Sequence, residues 1–129
     1  MINHHHGLIA TVIFIFYTAL ITHLSLIGGA QDGDIMDFDQ YGILLLDKIL
    51  HLGAYCCFVL IAHFIFVHLR HLLWLSLTLC GYGLLLEFIQ SSYIPGREGS
   101  LLDAISNMLG VAIGFITVFF YRKLTQLTS

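Results

Sequence analysis

The chain has 129 residues, of which 58% are hydrophobic and only 10% are charged, and its formal net charge is −3. A soluble domain normally has about a quarter of its residues charged, so this composition indicates an integral membrane protein and leaves no length for a separate soluble domain. The weakly acidic balance also offers no basic surface for nucleic acid.

Four long apolar runs follow one another along the chain, at about 8–29, 43–67, 72–92 and 101–121. A helix that rises about 1.5 Å per residue needs roughly 20 residues to cross a hydrocarbon core of about 30 Å. The sequence therefore predicts one all-α membrane domain over residues 1–129, folded as a bundle of four transmembrane helices.

The first run is also compatible with a signal peptide. Gly28 and Ala30 are small residues at the positions that a signal peptidase reads before a cut at Gln31. Its amino end carries no Lys or Arg and its apolar stretch is longer than a usual signal core, which favours a retained helix. Cleavage would remove one helix and leave the orientation of the others unchanged.

Basic residues set the predicted orientation. Arg70 lies between the second and third runs, and Arg122 and Lys123 follow the fourth, whereas the connection over residues 30–42 holds four aspartates and no basic residue. Lys and Arg are retained on the cytoplasmic side of a membrane. Both termini are therefore expected in the cytoplasm, and the first and third connections outside the cell membrane.

The second run contains the segment "LLLDKILHLGAY", in which charged residues interrupt an apolar helix. A charge at bilayer depth costs at least about 2.5 kcal/mol, so these residues need partners. Asp47, His51 and Tyr55 are spaced i, i+4 and i+8 and share one face of the helix. Lys48 points about 100° away, so it either reaches the outer headgroups or joins the other charges.

The third and fourth runs each add a polar edge. Glu87 and Gln90 are three residues apart, and Asp103 and Asn107 are four apart, so each pair shares a helix face. The predicted topology puts both pairs at the depth of His51. Since lipid cannot satisfy these groups, we expect the three edges to enclose a small polar cavity that opens to the outside.

The segment "YIPGREG" joins the third and fourth runs. Pro95 and Gly96 suit a tight turn, and the segment is a candidate for a short re-entrant loop. Arg97 would then pair with Glu87 or Asp103, or present a planar fork to a phosphate or carboxylate. Asp103 also follows Ser100 at the spacing of a capping box, so an alternative role is to cap the amino end of the fourth helix.

Small residues in the helices favour structural roles. Gly110 and Gly114 form a G-x-x-x-G pair, which indicates close packing within the bundle first and a dimer contact second. Buried cysteines usually act as small hydrophobic residues, so Cys56, Cys57 and Cys80 are assigned no chemistry. The sequence leaves the oligomeric state open.

Four short motifs in order carry a resemblance. "DKILHLGAY", "EFIQ", "PGR" and "DAISNMLG" resemble the motifs of the VanZ-like family of small bacterial membrane proteins, over residues 43 to about 120. The resemblance implies a multi-pass protein of the inner (plasma) membrane with four helices. The family takes its name from a teicoplanin resistance protein of the cell envelope, which implies a link to glycopeptide antibiotic resistance.

Three classes of function fit the predicted cavity. In the first, it binds the headgroup of a membrane lipid or a lipid-linked cell-wall precursor, through Lys48, His51, Tyr55, Glu87, Gln90, Arg97, Asp103 and Asn107. In the second, an intramembrane enzyme uses His51 as general acid or base, oriented by Asp47, with Glu87 as partner acid and Arg97 as stabiliser of transition-state charge. In the third, the charges only fix the register of the helices.

A divalent cation is the one cofactor that these residues suggest, and its ligands would be Asp47, His51, Glu87 and Asp103. Motifs of familiar hydrolases and nucleotide-binding proteins are absent from the sequence. Because buried ion pairs seldom stabilise a protein more than apolar packing does, a purely structural network is the weakest of the three interpretations. Headgroup binding is favoured, and catalysis is the main alternative.

Overall fold

The computed structural model describes residues 4–27, 45–94 and 100–127, and its regular secondary structure in those ranges is entirely helical. The four helices are α1 (His4–Leu26), α2 (Leu46–Ala62), α3 (Leu69–Tyr93) and α4 (Leu101–Leu127). The predicted all-α class with four helices is confirmed for this part of the chain.

Three of the helices are long and apolar enough to cross a membrane, over Gly7–Leu26, Leu69–Tyr93 and Leu101–Thr125. Hydropathy predicted shorter helices than those observed for the third and fourth runs, since α3 begins at Leu69 and α4 continues to Leu127. Apolar runs mark the part of a helix that fits hydrocarbon, and polar residues such as Arg70 and Arg122 continue the helix beyond it.

The second helix is shorter than predicted, because it has 17 residues and ends at Ala62 instead of near Val67. The run stays apolar to Val67, but the chain turns after Ala62. Arg122 of α4 caps this turn, because its guanidinium donates hydrogen bonds to the carbonyl oxygens there. Hydropathy carries no information about such a tertiary contact. The predicted start at residue 43 lies outside the described residues.

The closest helix pair is α2 and α4, which run parallel. A Cβ atom at Gly110 would overlap the carbonyl oxygen of Leu52, and one at Gly114 would lie 2.9 Å from Val59 Cβ. The G-x-x-x-G pair therefore lets the two backbones touch inside one chain, as the first of its two interpretations predicted.

An aromatic cluster forms the middle of the bundle. Phe58 of α2 is fully buried, and the rings of Phe14, Tyr17, Tyr55 and Tyr82 surround it at centroid distances of 5.5, 4.7, 5.5 and 6.1 Å. These edge-to-face contacts join α1, α2 and α3. The polar residues at the start of α2 thus lie on one side of an apolar core, and the turn after Ala62 lies on the other.

Polar contacts attach α1 to its neighbours. Three hydrogen bonds do so: Tyr17 Oη to the Ala54 carbonyl (3.0 Å), Thr22 Oγ1 with Tyr82 Oη (2.6 Å), and Gln90 Nε2 to the Ser25 carbonyl (2.9 Å). Only 6% of the apolar window of α1 is buried. Specific hydrogen bonds, more than burial, therefore set the position of α1 along the bundle, antiparallel to α2.

Candidate ligand-binding site

The polar edges predicted on three helices meet where α2 and α4 begin and α3 ends. We call this group the polar cluster, and its members are Asp47, Lys48, His51, Glu87, Asp103 and Asn107. Glu87, Asp103 and Asn107 are buried, with 7%, 8% and 2% of their surface exposed. Spacing along each helix gave the correct faces, and packing of the helices brings these faces together.

Lys48 lies between two carboxylates. Its Nζ is 2.6 Å from Asp103 Oδ1 on α4 and forms a second ion pair with Asp47 Oδ2 on its own helix. The side chain is 18% exposed, so the ammonium is turned toward the bundle instead of extending along the lipid-facing surface. Of the two orientations open from the sequence, the structure has the one in which Lys48 joins the other charges.

His51 is held by an amide. Its Nδ1 lies 3.1 Å from Asn107 Oδ1 and 3.8 Å from Glu87 Oε1. For Asn107 Oδ1 to accept this hydrogen bond, Nδ1 must carry the proton, which leaves Nε2 of a neutral ring as an acceptor. The predicted orienting group, Asp47, pairs with Lys48 instead.

Glu87 connects α3 to the start of α4, because its Oε2 accepts a hydrogen bond of 3.3 Å from the backbone N–H of Ser100. Ser100 Oγ in turn accepts from the N–H of Leu102 at 3.2 Å. The reciprocal bond of a capping box would come from Asp103, but that carboxylate pairs with Lys48. Asp103 thus pairs within the polar cluster instead of capping α4. Glu87, which lies on α3, caps the start of α4.

Tyr55 and Gln90, also predicted at the site, lie beside the cluster. Tyr55 is 2% exposed, and its hydroxyl has no hydrogen-bond partner among the described residues. A Cβ atom at Gly83 would lie only 3.1 Å from this hydroxyl, so α3 presses against the ring. Gln90 donates to the Ser25 carbonyl and connects α3 to α1. Its observed contact is structural.

A cavity of about 240 Å³ opens beside the polar cluster, and we call it the polar pocket. Ile21, Leu24, Leu50 and Leu86 contribute apolar walls. All four helices supply the polar lining, through Ser25, Asp47, His51, Tyr55, Glu87 and Asn107. Apolar walls with a few convergent polar groups are typical of small-molecule sites. The volume is below the roughly 300–1,000 Å³ of sites for drug-sized ligands, so it suits a headgroup or part of one.

Three residues of the cluster also have the geometry of a metal site. His51, Glu87 and Asp103 each offer one ligand atom, and the three atoms lie within 4.8 Å of one another. Imidazole and carboxylate ligands suit zinc, manganese and iron. Asp47, the fourth predicted ligand, is not part of this group and pairs with Lys48. The ammonium of Lys48 beside Asp103 would have to move before a cation bound.

The contribution of α1 to the site was not predicted from the sequence. Ser25 lines the polar pocket, and Tyr17 and Thr22 bond to the neighbouring helices. A signal was available, since Thr18, Thr22 and Ser25 recur at i, i+4 and i+7 and so lie on one face of α1. Hydroxyl residues are common in membrane helices and usually bond to their own backbone, as Thr18 does to the Phe14 carbonyl.

A second polar group, at the opposite end of α2, was also unexpected. Arg122 donates to Nδ1 of His63 from both Nε (3.0 Å) and Nη2 (2.8 Å). It also donates to the carbonyl oxygens of Val67 (2.7 Å), Phe66 (2.5 Å) and His63 (3.1 Å). We call this group the arginine cap. Burial, and then the positive charge of Arg122, lower the pKa of His63, which lies beyond the last residue of α2.

Several sequence-based predictions lie outside the described residues. They concern Arg97, the re-entrant loop around Pro95, and the acidic connection over residues 30–42. Comparison with known proteins gave no matching family model, no matching curated protein and no matching solved structure.

Proposed function

We propose that the chain is a multi-pass protein of the bacterial inner membrane, with four spans and both termini in the cytoplasm. Three helices have the length and composition of spans. The 17 residues of α2 rise about 25 Å, most of a hydrocarbon core of about 30 Å. Arg70, Arg122 and Lys123 all lie at the end opposite the polar cluster, which supports a cytoplasmic location for that end. The polar pocket would then open outward.

At this location the proposed function is binding of an anionic headgroup, from a membrane lipid or a lipid-linked cell-wall precursor. The observation that carries it is the convergence of charged and amide side chains from α2, α3 and α4 on one open cavity. Lys48 does not itself line the pocket, but it pairs with Asp47, which does, so its ammonium would supply positive charge at the edge of the pocket. Arg97 would add a planar fork for a phosphate. Glu87 and Asn107 have the acceptors and donors for sugar hydroxyls or amides.

A closed structural network would satisfy and bury its own groups, and two features of the cluster oppose that interpretation. Asp47 keeps 38% of its side chain exposed and His51 keeps 22%. The buried hydroxyl of Tyr55 has no partner among the described residues. Buried ion pairs add little to stability compared with apolar packing, so exposure toward a cavity is better explained by a ligand.

The family proposal rests on the same residues. The motifs "DKILHLGAY", "EFIQ" and "DAISNMLG" resemble those of the VanZ-like family, and Asp47, Glu87 and Asn107, one from each, line one pocket. Convergence of three motifs on one cavity supports a single function for them. We propose that this function lies in the cell envelope and affects susceptibility to teicoplanin-type antibiotics.

The direct test is a native mass spectrum of the protein purified from membranes in mild detergent. We expect a retained lipid or lipid-linked molecule on the native protein. The combined change His51→Ala and Asn107→Leu should lower its occupancy at least tenfold, because it removes both partners of the central hydrogen bond. The matched control is Thr117→Val on α4, an exposed residue that bonds to its own helix. Equal occupancy in all three proteins would contradict headgroup binding.

The second candidate is an intramembrane enzyme that modifies such a headgroup with the help of a divalent cation. The arrangement of His51, Glu87 and Asp103 favours it. Calorimetric titration with Mn²⁺ and with Zn²⁺ tests the cation: binding should be saturable in the native protein and lost in Asp103→Asn. His51→Ala separates the two candidates, since an enzyme would lose turnover while it still retained lipid, and a binding protein would lose the lipid.

A further inference from the structure

The contact between α1 and α2 borders a second cavity besides the polar pocket. This cavity has a volume of about 670 Å³, and we call it the seam groove. It is lined by α1 between residues 9 and 17, by the end of α2 from residue 57, and by Phe64 in the turn that follows; the lining includes Ile9, Ile13, Leu60 and Ile61. The polar pocket uses the next part of the same two antiparallel helices, residues 21–25 and 47–55.

One hydrogen bond joins a residue that lines the first cavity to a residue that lines the second. Tyr17 lines the seam groove, and its hydroxyl donates to the carbonyl oxygen of Ala54, which lines the polar pocket, at 3.0 Å. The bond lies near the middle of α2, so a molecule that began at His51 and reached Ile61 would pass it. Ten residues of helix rise about 15 Å, which is half of a hydrocarbon core of about 30 Å.

We propose that the seam groove holds the acyl chain of the same lipid whose headgroup occupies the polar pocket. This inference rests on the proposed function and specifies its ligand as an acyl lipid. A chain that is polar at one end and apolar over one leaflet matches the order of the two cavities. A long polyprenyl chain would extend well beyond the groove, so the geometry favours an ordinary acyl lipid over a polyprenyl-linked precursor.

The weak attachment of α1 supplies the route of entry. Most of its apolar window faces away from the protein, and hydrogen bonds of the Tyr17 and Thr22 hydroxyls and of the Ser25 carbonyl, which accepts from Gln90, hold it to the bundle. A chain can therefore enter sideways from the bilayer between α1 and α2. A peptide is a poor occupant, because the groove is lined almost wholly by apolar side chains that offer a backbone no hydrogen bonds.

The probe is a fatty acid with a diazirine near its terminal methyl group, fed to the expressing cells so that their own phospholipids carry it. After illumination, cross-linked peptides of the purified protein are mapped by mass spectrometry. We expect cross-links to concentrate on residues 9–17 and 57–64. Ile61→Trp, which fills the groove, should lower them at least tenfold, and Leu77→Trp, at a 54% exposed position on α3, should leave them unchanged. Ile13→Trp fills the groove from α1 and serves as a second, independent variant if Ile61→Trp does not fold.

Three outcomes would overturn the inference. Cross-links spread evenly over all lipid-facing helices would mean that the groove holds only ordinary bilayer lipid. Unchanged cross-linking in both folded groove variants would exclude the groove as the chain site. Full groove cross-linking after His51→Ala and Asn107→Leu would show that the acyl chain binds independently of the polar pocket. In that case the proposed headgroup site fails as well. If the double change at His51 and Asn107 abolishes lipid retention, and Ile61→Trp and Ile13→Trp leave groove cross-linking unchanged, only the acyl-chain inference fails.

Discussion

The polar cluster and the arginine cap are two solutions to the same problem, a charge in a contact between α2 and α4. In the cap, one guanidinium meets the ring of His63 and three carbonyl oxygens, so nearly all of its donors are used. In the cluster, Lys48 bridges Asp47 and Asp103, and beside it Tyr55 has a buried hydroxyl with no partner among the described residues.

The difference separates a structural role from a binding role. A group that satisfies itself needs no ligand, and its removal should affect folding. A group that borders a cavity and has polar atoms without hydrogen-bond partners can bond to a ligand, and its removal should affect binding. The arginine cap fits the first description, and the proposed function assigns the second to the polar cluster.

The largest effect is expected at the cap. Arg122→Leu leaves the carbonyl oxygens of His63, Phe66 and Val67 without their donor, and we expect a loss of about 2–4 kcal/mol in the free energy of unfolding. The measurement is thermal unfolding of the detergent-solubilised protein. Lys123→Leu, at the next exposed position, is the control and should change little. Equal stability of the two variants would show that the cap is dispensable.

The polar cluster should respond in the opposite way. The triple change Asp47→Asn, Lys48→Met and Asp103→Leu replaces both ion pairs of Lys48 by uncharged groups. We expect the free energy of unfolding to stay within about 1 kcal/mol of the native value, because such replacements are often neutral. Lipid retention in the native mass spectrum should fall at least tenfold. Large destabilisation with retained lipid would make the cluster structural and reverse the comparison.

A smaller effect is expected from pH at the cap. In the folded protein the pKa of His63 is lowered from 6.5, so the unfolded chain takes up a proton first as the pH falls. The contribution of His63 is therefore complete above pH 6.5 and is lost as the pH falls through its folded pKa. Melting temperatures measured across this range should decline toward acid. His63→Gln keeps an acceptor for Arg122 and should flatten this part of the profile, and an unchanged profile would rule His63 out as its source.

The smallest effect is expected at Tyr55. Removing a buried hydroxyl that has no partner relieves an uncompensated desolvation, so Tyr55→Phe should raise the free energy of unfolding by up to about 1 kcal/mol. If the hydroxyl serves a ligand in the polar pocket, lipid retention should fall at the same time, though less than after His51→Ala. Loss of stability instead would mean that the native protein supplies a partner for this hydroxyl.

The sequence was most informative about faces and least informative about ends and partners. Spacing of Asp47 with His51, and of Asp103 with Asn107, correctly assigned the polar side of each helix, because helix geometry fixes which residues share a face. Hydropathy could not show that α2 ends at Ala62, since the residues beyond it are equally apolar. The reason is Arg122, which lies 60 positions further along the chain than Ala62.

By itself, the sequence determined the all-helical class, the apolar spans and the polar edges, because composition and a fixed helical repeat decide these locally. Only the tertiary structure decided which edge meets which: that Asn107 holds His51, that Lys48 turns inward to Asp103, and that α1 completes the pocket. These contacts depend on how closely the helices approach. That distance is set by residues such as Gly110 and Gly114, whose lack of a side chain matters only once a second helix lies against them.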